Sequence, residues 1–199
     1  MGNTNVTTLH KPASAQYPIH DLISHRWSPR AFSDQPVDQA TLKSLFEAAR
    51  WAASAANKQP WNFIYATREN PEAFERLAAI LFETNSVWAK NAAVLILTVA
   101  KRGEYAGYEY ISYFETGMAV GNLVTQAVEL GLATHQMAGF DKAKAITDLN
   151  IPEGYDPITV LAVGYPGNHE TLPETLRERE TAERTRKAQD EFVFDGSWK

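Results

Sequence analysis

AAVLILTVA, running from Ala92 to Ala100, is the longest apolar run of this chain. It is about half as long as a membrane-spanning helix requires, so it reads as a strand buried inside a globular domain. On its N-terminal side, NFIYAT (Asn62 to Thr67) reads as another strand. PEAFERLAAILF (Pro71 to Phe82) reads as a helix with Pro71 in its first turn. Further upstream, Asp38 can cap a helix in which Leu42, Leu45, Phe46, Ala49 and Ala52 recur at helical spacing, ending near Ser54. Downstream, a long helical pattern runs from Tyr110 to Leu130 and is stopped by Gly131. Gly117 and Gly121 within it would let a second helix approach closely. LATHQMAGF (Leu132 to Phe140) reads as a short strand and turn, Asp141 to Leu149 as a short capped helix, and ITVLAVGYP (Ile158 to Pro166) as the last strand. Helices and strands alternate, with no internal repeat.

The 199 residues suit one domain, which at this size buries about 70% of the surface its unfolded chain exposes. There is no cysteine, which excludes disulfides, zinc-thiolate sites, iron–sulfur clusters and a cysteine nucleophile. Redox chemistry would have to come from a cofactor. A net charge of −5 argues against general nucleic-acid binding while leaving room for a local basic patch that takes a small anion. Residues 1–17 are polar and lack the charged-then-apolar order of a secretory signal. They read as a flexible arm before a single domain over 18–199, and the expected compartment is the cytoplasm. No GxGxxG, GxxxxGK[ST] or GxSxG occurs, and the five histidines show no metal-ligand spacing.

Two segments carry chemistry. In HRWSPRAF (His25 to Phe32), Arg26, Ser28 and Arg30 alternate along a stretch that Pro29 keeps extended, so all three can face one anion. Guanidinium forks match phosphate oxygens in pairs. Two exposed arginines without a ligand would leave the same octapeptide. In AASAANKQPWNF (Ala52 to Phe63), the small residues Ala53, Ser54 and Ala55 allow backbone to lie against a flat ring, and Asn57 can both donate and accept. An ordinary helix-to-strand loop would look alike.

Taken in order, these segments resemble the FMN-dependent nitroreductase family. The family's R-x-S-x-[RK]-x-F element is met by Arg26 to Phe32, and its S-x-x-N-x-Q-P-W-x-F element by Ser54 to Phe63. ETGMAVGNLVTQAVELGLATHQMAGFD resembles the family's long dimer helix and the glycine turn behind it. Arg184-Thr185-Arg186, before an aromatic tail, resembles the C-terminal basic pair, although RERETAERTRKAQDE alone would read as a solvated charged run.

The resemblance implies an α+β fold: a central mixed or antiparallel sheet flanked by helices, built as an intertwined homodimer whose C-terminal tail crosses to the partner. It implies noncovalent FMN. Arg26, Trp27, Ser28, Arg30, Arg184 and Arg186 would hold its phosphate and ribityl end. Ala53, Ser54, Ala55 and Asn57 would meet the ring from the other subunit, Asn85 would face it, and Met137, Ala138 and Gly139 would bring backbone against it. Some relatives carry a glutamate where Ala138 stands, which removes one side-chain contact here. Tyr105, Tyr108 and Tyr110 would shape the substrate entrance, or else pack on a helix flank. The implied activity is ping-pong reduction of nitroaromatic or quinone-like acceptors by NAD(P)H, with flavin N5 carrying the hydride and no catalytic side chain, metal, membrane or nucleic acid involved. Reductive dehalogenation, flavin fragmentation and a non-catalytic FMN store are the alternatives.

Overall fold

The computed structural model describes residues 8–103, 105 and 107–198. Four antiparallel strands, β1 (Trp61–Thr67), β2 (Val94–Lys101), β3 (Ala133–Met137) and β4 (Tyr155–Gly164), form one sheet in the order β1-β2-β4-β3. The sheet is thus antiparallel throughout, with seven helices around it among the described residues: α1 (Asp21–His25), α2 (Gln39–Arg50), α3 (Pro71–Ala78), α4 (Glu83–Ala89), α5 (Tyr110–Glu129), α6 (Lys142–Asp148) and α7 (Glu174–Thr181). Among the described residues, no helix is long and apolar enough to cross a membrane.

The unbroken apolar run of β2 follows from its position. Leu95, Leu97 and Val99 face one core with Phe74, Leu77 and Trp88, whereas Val94 and Ile96 face another with Leu42, Leu45, Leu123 and Val124. Both faces of the strand are covered, so alternation gives way to continuous hydrophobicity. Asp38 caps α2 by accepting from Thr41 N at 2.8 Å, and Asp141 caps α6 through Lys144 N at 2.9 Å. Three boundaries differ from expectation. The α2 helix stops at Arg50 rather than near Ser54. The helix expected over 71–82 ends at Ala78, because Ile80 O accepts from Asp141 N and Leu81 bridges Phe140, drawing the chain toward the turn after β3 before α4 begins. β4 starts three residues before Ile158 and contains Pro157, which is tolerated where the pairing register shifts opposite Thr98 and Val99.

Residues 1–7 of the expected arm lie outside the described residues. Ala13 N donates to Ser24 O, and Lys11 donates to Glu180 O at 2.7 Å. The segment after Arg26 is seated on the end of β4: Ser33 N donates to Tyr165 O and Gly167 N to Ala31 O, both at 2.9 Å. Gly167 is required there, since a Cβ would stand 2.4 Å from the carbonyl carbon and oxygen of Phe32. Gly167→Ala should therefore force backbone apart and lower stability by about 2–3 kcal/mol. Urea denaturation should show the fall as an earlier midpoint at unchanged slope.

Candidate functional site

The arginines of the extended segment do not share one role. Arg26 Nη1 donates to Ser28 Oγ at 3.2 Å. Burial pulls the Arg26 pKa below its ordinary value, and the neighbouring Arg184 and Arg186 guanidiniums pull it further. Three like charges thus converge on one open cavity of about 510 Å³, lined also by Tyr17, Ile23 and Phe192. Arg184 also ties the chain together, its guanidinium donating to the carbonyls of Ser24 at 2.9 Å, Arg26 at 2.8 Å and Lys11. Arg186 donates to Thr185 O at 2.7 Å and remains exposed. Trp27 lies beneath the Lys11 ammonium, 5.0 Å from it.

Arg30 turns the other way. Its guanidinium lies 3.6 Å from the carboxylate of Glu180, which is 1% exposed, and 6.0 Å above the Trp88 ring. The backbone N–H groups of Arg30 and Ala31 both donate to Glu180 Oε1, at 2.8 and 3.1 Å. Beside them, His135 Nδ1 lies 2.9 Å from Pro29 O, with its ring 4.5 Å from that of Trp88. Burial pushes the His135 pKa down to about 4; the neighbouring Arg30 and Arg26 charges add to the shift, and the bond to Pro29 opposes it. The imidazole is therefore neutral near pH 7, and its Nδ1–H donates to the Pro29 carbonyl.

At the end of β3, Met137 is buried, Ala138 exposed and Gly139 half-buried. Asn85, on α4, donates through Nδ2 to Gly139 O at 3.0 Å, and a Cβ on Gly139 would approach that nitrogen to 2.7 Å. Gln136 shares a shallow depression of about 410 Å³ with Arg26, Gly117 and Gly121. Sequence reasoning passed over Gln136, and strand alternation is the signal that could have found it: it projects opposite to Met137 and His135.

Residues 54–59 form a tight exposed loop in which Ala56, Asn57 and Gln59 all take positive φ, at 50°, 56° and 50°. These are left-handed conformations that non-glycine residues rarely adopt. Ser54 Oγ accepts from Gln59 N at 3.1 Å, Asn57 N donates to Ser54 O at 3.1 Å, and Ala55 N donates to Glu115 Oε1 at 2.6 Å. Ala53 is exposed at the loop's start. The Tyr105 hydroxyl lies 2.7 Å from Glu115 Oε2, while Tyr108 and Tyr110 are exposed and meet edge to face at 6.2 Å. The structure brings Arg26, Ser28, Arg184 and Arg186 together, and Asn85 with Gly139. Among the described residues, no hydrogen bond joins residues 53–57 to the arginine cavity; they are tied to α5 instead. Glu115 and Glu180 went unremarked in the sequence, where neither differs from the surrounding acidic residues.

Residues 23–165 match the model of the nitroreductase family. A Streptomyces coelicolor protein with the provisional name NADH dehydrogenase/NAD(P)H nitroreductase is 33% identical over 157 residues, covering 68% of this chain and 77% of its own. The iodotyrosine deiodinase of Haliscomenobacter hydrossis is 26% identical over 198 residues, covering 85% of this chain and 87% of its own. Among solved structures, one described as an oxidoreductase containing FMN superposes with a TM-score of 0.84 at 33% identity, covering 94% of this chain and 96% of that one.

The environment of His135 has a consequence in acid. Above about pH 6.5 the imidazole is neutral in both folded and unfolded chains and contributes no pH dependence. As pH falls from about 6.5 toward 4, the unfolded chain takes up a proton that the folded one refuses, so stability is lost across that window, on the order of 3 kcal/mol in all. Below about 4 the loss stops. His135→Gln, which keeps a donor for Pro29 O, should flatten this part of the stability profile in urea titrations between pH 7 and pH 4.5.

Proposed function

Because the chain belongs to the nitroreductase family, we propose that this oxidoreductase holds FMN noncovalently and uses NAD(P)H to reduce an organic acceptor of the nitroaromatic or quinone class. The observation that carries the reading is the convergence of Arg26, Arg184 and Arg186 on one cavity, where burial and the neighbouring guanidiniums both disfavour the charged forms of Arg26 and Arg184. An anion relieves both effects, and a phosphate monoester with its charge of about −1.5 to −2 suits the donor set. Bound there, FMN would supply a ring that accepts electrons from one partner and passes them to the next, so no protein nucleophile is needed.

The chain's own residues bind and orient. Arg26, Ser28 and Arg186 present donors to the phosphate end, while Arg184, committed to three carbonyls, fixes the shape of the cavity wall. Arg30, which faces Glu180, contributes through its position in the backbone. Trp27 stands behind them under Lys11. The turn Met137 to Gly139, braced by Asn85, offers backbone to the ring, and Ala53, Ser54, Ala55 and Asn57 offer the edge of the strained loop from a partner copy. Tyr108 and Tyr110, both exposed, would border the substrate entrance. One pocket serves reductant and acceptor in turn, which gives ping-pong kinetics. The likeness to an iodotyrosine deiodinase favours a second reading, reductive dehalogenation in the same pocket.

The assembly we propose is a homodimer. On α5, Phe114 is 64% exposed, and the Cβ positions of Gly117 and Gly121 have nothing within 4 Å in their own chain. A second α5 can pack closely against such a face. Phe192, Val193 and Trp198 of the tail are exposed as well, and crossing to the partner would bury them.

The purified protein should be yellow and carry FMN at about one per chain; FAD, or a colourless protein indifferent to added FMN, would remove the assignment. Arg26→Ala and Arg186→Ala should each weaken FMN binding by about 1.5–3 kcal/mol, with activity largely restored by excess FMN. Double-reciprocal plots with a quinone or nitroaromatic should be parallel, and turnover of a halophenol in place of both would transfer the assignment to dehalogenation.

Light scattering should give a dimer at low micromolar concentration. In an isolated helix Gly121→Leu would add up to about 1 kcal/mol of stability. At a helix–helix contact it should instead produce monomers and a lower melting temperature.

A further inference from the structure

We propose that Glu115, closed over by Tyr105, is a positioning residue that holds the loop 54–59 in the shape in which it meets the flavin ring, an inference that rests on the flavin reading above. Three non-glycine residues with positive φ within four positions are a conformation that persists only where something imposes it. Packing within the chain does not impose it, since Ala55 to Gln59 are all exposed there. The loop's internal bonds, from Gln59 N to Ser54 Oγ, Asn57 N to Ser54 O, Lys58 N to Ala55 O and Gln59 Nε2 to Asn57 O and Oδ1, close it on itself without fixing it to the domain. The anchor is α5. Glu115 is 3% exposed, and its carboxylate accepts from Ala55 N at 2.6 Å and from the Tyr105 hydroxyl at 2.7 Å. The same hydroxyl lies 3.1 Å from Ala55 O. Ala55 N is thus met by Glu115, while Ala55 O accepts from Lys58 N at 3.2 Å and lies within reach of the Tyr105 hydroxyl.

The hydroxyl has one proton, and Glu115 Oε2 and Ala55 O both lie in its reach. This proton count decides what each substitution does. In Glu115→Gln, the amide oxygen still accepts from Ala55 N, the amide NH₂ donates to the Tyr105 oxygen, and the hydroxyl proton is released to Ala55 O. The geometry survives without the charge. In Glu115→Ala, Ala55 N loses its acceptor and the loop its tie to α5. Tyr105→Phe keeps the bond to Ala55 N and removes only the closing contact. Tyr105 belongs to the stretch in front of α5 that was read as the substrate entrance, so one carboxylate joins the entrance, the long helix and the loop that faces the ring.

The test has two arms. Trypsin cleavage after Lys58, which is exposed in the loop, is followed by mass spectrometry on the full-length chain stripped of any bound FMN. Glu115→Ala should be cut at this bond about tenfold faster or more, and Glu115→Gln at close to the wild-type rate. FMN titration, read by quenching of flavin fluorescence, should show binding weakened about tenfold or more in Glu115→Ala, with Glu115→Gln restoring it. An unchanged cleavage rate in Glu115→Ala would overturn the clamp. Faster cleavage with unchanged FMN binding would overturn its role in positioning, and equal damage from the glutamine and alanine variants would show that charge rather than geometry matters. If Glu115→Ala does not fold, Tyr105→Phe carries both arms, with changes of about threefold expected and no change overturning the proposal. A wild-type chain that binds no FMN would sink the flavin reading alone, because the proteolysis arm reports on the clamp without it.

Discussion

One buried carboxylate decides where the arginines stand. Glu180 lies on α7, 150 positions along the chain from Arg30, and accepts from two successive backbone N–H groups while its second oxygen faces the Arg30 guanidinium. A charge in such a place is unfavourable unless it is met by partners of this quality, and removing one side of a buried pair typically costs about 3–5 kcal/mol. The contact therefore holds the extended segment and α7 in a fixed relation. Arg26 is carried on that segment; Arg184 and Arg186 follow from the end of α7. The cavity they share exists because the two ends of the chain are fastened at Glu180, with Lys11 adding a third strand of contact through Glu180 O.

Glu115 solves the same problem on the other loop. Each of the two glutamates is nearly inaccessible, receives backbone N–H from an irregular segment and projects from a helix in the packed body of the protein. A carboxylate suits this task because it is acceptor-only and takes several donors at once, so short irregular backbone can be gathered around it without leaving N–H groups unpaired. Regular structure would satisfy the same groups but could not present them toward a ligand. The two irregular segments, one extended and one left-handed, are thus each anchored to a helix by a single side chain.

The sequence made the framework legible where one residue had one local consequence. Asp38 and Asp141 were readable as caps, and both accept the bonds that caps accept. The length and apolarity of AVLILTVA pointed to a central strand. The register of the arginine, asparagine and glycine elements gave the family without any coordinates. Illegible features depended on distant partners. Nothing in PEAFERLAAILF announces that Phe140 and Asp141 will draw residues 80 and 81 out of the helix. Glu180 sits in a run of charged residues whose local pattern implies solvent, and its burial follows only once Arg30 and Ala31 arrive. Glu115 likewise looks like an exposed helical acid until the loop folds over it. In each case a long-range contact overrode the local preference.

The division among the arginines has an electrostatic logic of its own. Arg30 finds a carboxylate within the chain, and Arg184 spends its donors on three carbonyls, so the donors of both are engaged inside the fold. Among the described residues, Arg26 and Arg186 donate to one neutral acceptor each, Ser28 Oγ and Thr185 O, and they stand close enough for the repulsion to register in Arg26. Arg26 and Arg186 thus keep donors uncommitted beside a cavity whose wall Arg184 ties together. On the flavin reading proposed above, a dianion bound there would offset the repulsion that the neighbouring guanidiniums impose on Arg26. Had all four been paired internally, the same fold would be more stable and would have less reason to bind.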